Sequence, residues 1–113
     1  MEKTIEPTIA ADYMNLCGEG PLWHPVEKLV YWLDILGGKI FRLNPTTGDH
    51  EIFWSGDVLG GFTFQADGSL LLFMDKGAVA VLRDGKLSYI IESIPGEESN
   101  RFNDVISDPA GRV

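Results

Sequence analysis

One turn motif recurs along this chain, and its spacing limits the folds open to it. His24-Pro25-Val26-Glu27-Lys28-Leu29 is matched 41 residues on, from 24 to 65, by Gln65-Ala66-Asp67-Gly68-Ser69-Leu70. Asp108-Pro109-Ala110-Gly111 repeats the turn again 43 residues on, from 65 to 108. Each interval holds short runs rich in Val, Ile, Leu, Phe, Tyr and Trp, punctuated by Gly, Pro, Asp and Asn, with hardly any segment of helical period. A period of about 40 residues carrying four strands per unit is the pattern of β-propeller blades; a sandwich or barrel is the competing all-β reading.

The pattern predicts strands near Gly20–His24, Leu29–Asp34, Lys39–Asn44 and Glu51–Trp54. A second series falls near Gly61–Gln65, Ser69–Met74, Val79–Arg83 and Leu87–Ile91, and a third begins near Asp104. Pro45, Thr46, Thr47 and Gly48 suit one hairpin, and Asp84-Gly85 is a favoured type I′ pair for another. Leu29–Leu33 and Ser69–Met74 are nearly continuous apolar runs, which implies sheets covered on both faces. The chain therefore reads as an irregular lead-in over 1–15 and part of one propeller domain over 16–113. Blade one is expected over about 19–55, blade two over about 60–92, and the start of a third over about 103–113. Closing a propeller takes at least four blades, because each hides its faces against two neighbours. The chain is accordingly expected to be the N-terminal part of a longer protein, its other blades supplied as a continuation or a separate chain.

Charge and cysteine content narrow the partners. Seventeen acidic against nine basic residues give a net charge of −8, which repels phosphate backbones and anionic lipid, so neither nucleic acid nor membrane is an expected partner. The dispersed acidity by itself signals solubility and does not specify a metal site. Cys17 is the sole cysteine, which rules out an intrachain disulfide and suits a reducing compartment. Met1–Asp12 has no long apolar run and fits neither a secretory signal nor a transit peptide. A cytoplasmic location is expected.

The repeat register places Glu19, Gly60 and Asn103 at equivalent positions, each just before an innermost strand, and thus around one mouth of the central channel. A carboxylate and a carboxamide there, with Gly60 leaving space between them, are oxygen donors of the kind a hard cation favours. The alternative, that Glu19 caps a turn and Asn103 bonds neighbouring backbone, stays open on spacing alone.

Several strings in this order carry a resemblance: Gly18-Glu19-Gly20-Pro21-Leu22-Trp23, Tyr31-Trp32-Leu33-Asp34-Ile35, Ile40-Phe41-Arg42-Leu43-Asn44-Pro45, and Arg101-Phe102-Asn103-Asp104 followed by Asp108-Pro109-Ala110-Gly111-Arg112. From about Leu16 onward the chain resembles the gluconolactonase family, which includes regucalcin. The resemblance implies an all-β, six-bladed β-propeller, of which this chain supplies about two blades and the first strand of a third. It implies one divalent metal ion, Ca2+ or Zn2+ with Mn2+ or Mg2+ as further options, and hydrolysis of sugar lactones. It maps a metal ligand to Glu19 and substrate contacts to Arg101 and Asn103. The other two metal ligands and the base of the family have no counterpart in this chain, so no catalytic residue is assigned within it. Where the family commonly has Gly-Lys-Val after the Arg-Phe-Asn-Asp string, this chain has Val105-Ile106-Ser107, which bears on substrate preference.

A bound divalent ion can polarise a lactone carbonyl and stabilise the developing oxyanion. Arg101 could hold sugar hydroxyls or that negative charge, or else pair with Glu97 or Glu98. Asp104 is either a residue orienting the ligands from behind or a brace for its own strand. His24 reads as structural, His50 as solvated, and Cys17 as an inert thiol. Trp23, Trp32, Phe41, Phe62, Phe64 and Phe73 read as packing between blades. The leading function is a metal-dependent sugar lactonase. The alternative is a non-catalytic calcium-binding or interaction propeller of the same lineage.

Overall fold

A computed structural model describes residues 2–113, so Met1, the first residue of the expected lead-in, lies outside the described residues. Two four-stranded antiparallel meanders form. The first contains β1 (Gly18–His24), β2 (Leu29–Asp34), β3 (Lys39–Leu43) and β4 (His50–Ser55); the second contains β5 (Leu59–Phe64), β6 (Leu70–Met74), β7 (Val79–Arg83) and β8 (Lys86–Ile91). The two long apolar runs lie in different sheets, as the blade reading requires. No helix forms among the described residues, and none is long and apolar enough to cross a membrane.

The turns follow their residues. Asp84 (φ 51°) and Gly85 (φ 75°) both take the left-handed backbone between Arg83 and Lys86, which are paired across the strands; this is the type I′ geometry that keeps a two-residue hairpin in twist. The repeated motif is visible as hydrogen bonds. In the second unit the Gln65 N–H donates to the Ser69 carbonyl and the Gly68 N–H to the Gln65 carbonyl. In the third, Asp108 N–H donates to Arg112 O and Gly111 N–H to Asp108 O.

The sheets pack through β5, which meets β1 and β2. Tyr31, Leu33 and Ile40 from the first sheet join Leu59, Phe62 and Leu72 from the second in one core, where non-polar burial supplies the main stabilising term. Tyr31 sits edge-on to Phe64 at 4.9 Å across this junction. The aromatic residues divide more finely than the pattern suggested. Phe62 and Phe64 lie between the sheets, but Trp32 stacks on Phe41 (5.2 Å) on the opposite face, beneath Tyr13 of the lead-in, and Trp23 is 46% exposed. Strict alternation on β2 separates Tyr31 from Trp32 in this way.

Beyond β8 the chain returns across the second sheet. Lys76 N–H donates to Asn100 O, Phe102 N–H donates to Met74 O, and Arg101 forms an isolated bridge to Asp75. From Asp104 no strand forms among the described residues, unlike the strand expected there. An inner strand takes its hydrogen bonds from the next strand of its own blade, and no such partner is among residues 2–113.

Candidate active site

Two β-bulges shape the start of the inner strands. On β1, Glu19 pairs with Leu33 and Leu22 with Tyr31, which leaves Gly20 and Pro21 opposite one residue. Gly20 has φ +64°, a conformation glycine adopts without the cost a Cβ would bring. On β5, Leu59 pairs with Met74 and Gly61 with Phe73, so Gly60 is the extra residue. Leu33 and Met74 are both fully buried near the ends of their strands, so the ladder sets Leu59, one residue before Gly60, at the place of Glu19. Gly60 does not leave open space either. A Cβ there would fall 1.8 Å from the Phe102 carbonyl oxygen, because the backbone of Phe102 and Asn103 lies directly on it.

The residue after Glu19 and the residue after Asn103 border one groove of about 280 Å³, lined by Gly20, Pro21, Leu22, Gly61, Phe62 and Asp104–Ile106. Glu19 is exposed and, among the described residues, its carboxylate makes no hydrogen bond or ion pair; it does not cap a turn. Arg101 is exposed, and its Nη1 donates to Phe102 O (2.9 Å) and to Asn103 Oδ1 (3.3 Å). No pair to Glu97 or Glu98 forms: Glu97 accepts from Asn100 Nδ2 and Glu98 from the Gly96 N–H. With the Asn103 oxygen engaged, its amide N–H groups remain to donate, as do further N–H groups of the guanidinium. Asp104 Oδ1 accepts only from Val105 N–H (2.9 Å), so it braces its own backbone.

His24 and His50 lie at the opposite end of the first sheet from Glu19. His24 is structural: its Nδ1 accepts from Glu27 N–H (3.1 Å), Nε2 lies 3.3 Å from Glu27 Oε1, and the ring packs on Phe64 at 4.5 Å. His50 is not merely solvated, because its Nδ1 is 2.8 Å from the Tyr13 hydroxyl, tying the lead-in to β4. Tyr31, buried and donating to Glu27 Oε1 (2.6 Å), has its phenol pushed up to about 12 by burial and then by that carboxylate.

Asp34, in the Tyr31–Ile35 string, has a role that the sequence alone does not assign. It is 3% exposed and accepts from Cys17 N–H (2.8 Å), Leu16 N–H (3.0 Å) and Gly37 N–H (3.2 Å). Burial alone would push its carboxyl up, but these donors, with Lys39 nearby, outweigh it and hold it below the usual carboxylate range. A single Asp closing an otherwise apolar strand was the available signal, since a buried carboxylate must find donors.

The sequence model of the SMP-30/Gluconolactonase/LRE-like region matches residues 17–113. The chain belongs to that family. It is 50% identical over 99 residues to a pentonolactonase of Haloferax volcanii, covering 85% of this chain and 32% of the relative. It is 33% identical over 99 residues to a 6-deoxy-6-sulfogluconolactonase of Pseudomonas putida, with 87% and 34% covered. A luciferin-regenerating enzyme shares the fold with TM-score 0.75 at 21% identity, over 86% of this chain and 34% of that one. The chain thus spans about a third of the length of the curated relatives it matches. Among the described residues no group of three or more His, Cys, Asp or Glu is placed to hold a metal. Glu19, with both carboxylate oxygens unengaged on a strand held by a bulge, fits the part of one ligand and no more.

Proposed function

We propose that this chain is part of a six-bladed sugar lactonase, and that Glu19 supplies one ligand of a divalent metal completed by residues outside 1–113. The observation that carries the reading is the unengaged carboxylate of Glu19 on a strand that, at Gly20, borders the same groove as Asp104, the residue after Asn103, in a chain whose relatives are named as sugar lactonases. Bound at Glu19, a Ca2+, Zn2+, Mn2+ or Mg2+ ion would polarise the lactone carbonyl.

The chain's own residues do the recognition. Arg101, which lines a separate cavity with Gly77, Ile94, Glu97, Asn100 and Phe102, and Asn103 both carry N–H donors, which suit the hydroxyls and ring oxygen of an aldonolactone and the carboxylate formed when it opens. A mutual hydrogen bond at 3.3 Å links these two exposed side chains. Asp104 holds the backbone that follows. The general base is assigned to no residue of this chain.

The test is a screen of pentonolactones and hexonolactones on the complete protein, stripped of metal and then supplied with each of the four ions. Opening of a sugar lactone that is lost in Glu19→Gln supports the reading. Metal binding without hydrolysis of any lactone would favour a non-catalytic propeller instead.

A further inference from the structure

We propose that Asp34 is a positioning residue for Glu19: its buried carboxylate clamps the backbone just before Glu19 and thereby sets where the Glu19 carboxylate is presented. The inference rests on the metal-ligand reading of Glu19 and adds to it the device that aims the ligand.

The geometry is a clamp on one side of Glu19 and a bulge on the other. Upstream, Asp34 Oδ2 accepts from Leu16 N–H and Oδ1 from Cys17 N–H, while the Cys17 carbonyl accepts from Ile35 N–H at 2.9 Å. Gly18 and Glu19 then enter the ladder opposite Asp34 and Leu33. Downstream the left-handed Gly20 and the ring of Pro21 turn the strand. The backbone of Glu19 thus has little freedom left, although its side chain is exposed.

Comparison with the second sheet shows that the clamp is specific to the first. Asp75 follows Met74 as Asp34 follows Leu33, yet its carboxylate makes no hydrogen bond among the described residues, and its backbone pairs with Arg101. The second inner strand has Leu59 where the first has Glu19. The buried, donor-saturated aspartate therefore occurs on the blade that carries the acidic side chain. Its own oxygens already hold three backbone donors, so it is not a further ligand in waiting. Groups that orient a metal ligand from behind typically change affinity about 10- to 100-fold when removed.

The experiment uses the complete protein, its Asp34→Asn and Glu19→Gln variants and the double variant, titrated with Mn2+ by calorimetry well below the unfolding midpoint. Asp34→Asn keeps the side chain's size but sets an NH2 against a backbone donor. The expected result is Mn2+ binding weakened about 10- to 100-fold in Asp34→Asn, with cooperative unfolding retained and no further loss when it is added to Glu19→Gln. Wild-type affinity in Asp34→Asn, or an undiminished additional loss in the double variant, overturns the inference while leaving Glu19 as a ligand. Wild-type protein that binds no Mn2+ overturns the ligand reading itself. Amide exchange on the metal-free wild type tests the clamp without any variant: the Cys17 N–H should exchange more slowly than that of Asp57, its counterpart before the second inner strand. Equal rates would contradict it.

Discussion

Gly60→Ala is the substitution whose cost the structure defines most sharply. The added Cβ would lie 1.8 Å from the carbonyl oxygen of Phe102, 2.3 Å from its carbon and 3.0 Å from the Asn103 nitrogen. These are backbone atoms, so no side chain can swing aside. Reaching ordinary contact at 3.4 Å from 1.8 Å requires the segment to retreat by about 1.6 Å. Overpacking of this kind costs about 1–3 kcal/mol, against which the lower chain freedom of alanine in the unfolded state returns about 0.4–1 kcal/mol. The net cost is up to about 2.6 kcal/mol, and in a protein the length of the relatives the unfolding midpoint should fall by up to roughly 4 °C. The larger effect falls on function, because Phe102 lies between Arg101 and Asn103. Misplacing a substrate-holding group by ~1 Å costs on the order of 100-fold in rate. At Gly18 an added Cβ would instead meet Asn15 Nδ2 at 2.9 Å, the movable tip of a side chain, so Gly18→Ala should cost less stability. Differential scanning calorimetry and lactone kinetics on both variants provide the assay. A Gly60→Ala protein with unchanged midpoint and unchanged kcat/KM would refute the packing of Phe102 and Asn103 on the second inner strand.

Glu19→Gln in the complete protein should abolish most metal binding by calorimetric titration while shifting metal-free stability by no more than about 0.5 kcal/mol, as for other exposed positions. Leu33→Ala removes a fully buried side chain that stands opposite Glu19, and should cost about 2–5 kcal/mol by urea unfolding. Tyr31 has a folded pKa of about 12, raised above the unfolded value near 10, so its contribution is fully present below pH ~10 and is lost as pH rises toward 12. Urea unfolding of wild type should weaken across that interval by up to about 1.4 kcal/mol per pH unit more than Tyr31→Phe; parallel pH dependences would contradict the burial of that hydroxyl.

Much of this architecture was legible because its signals are local. Asp84-Gly85 carries its turn type in two residues, and the Val79–Arg83 and Leu29–Asp34 strands match the observed ends residue for residue. Register was harder to read. The bulges at Gly20–Pro21 and Gly60 are set by how the second strand pairs, and motif spacing alone put Gly60 where Leu59 stands. The Asp34 clamp and the Tyr13–His50 bond join residues 17 to 37 positions apart, so they depend on the folded path of the lead-in rather than on any local pattern. The missing strand at Asp104 was a matter of partners: its residues favour the conformation, but a strand needs a neighbour to bond.

The most direct test is diffraction from crystals of the complete protein grown with Mn2+ and a non-hydrolysable lactone analogue, using the metal's anomalous signal. The account predicts one Mn2+ on the Glu19 carboxylate, with the Asp34 oxygens still held by Leu16 and Cys17, and the analogue's oxygens on Arg101 and Asn103. A metal bound away from Glu19, or an analogue that touches neither Arg101 nor Asn103, would contradict it.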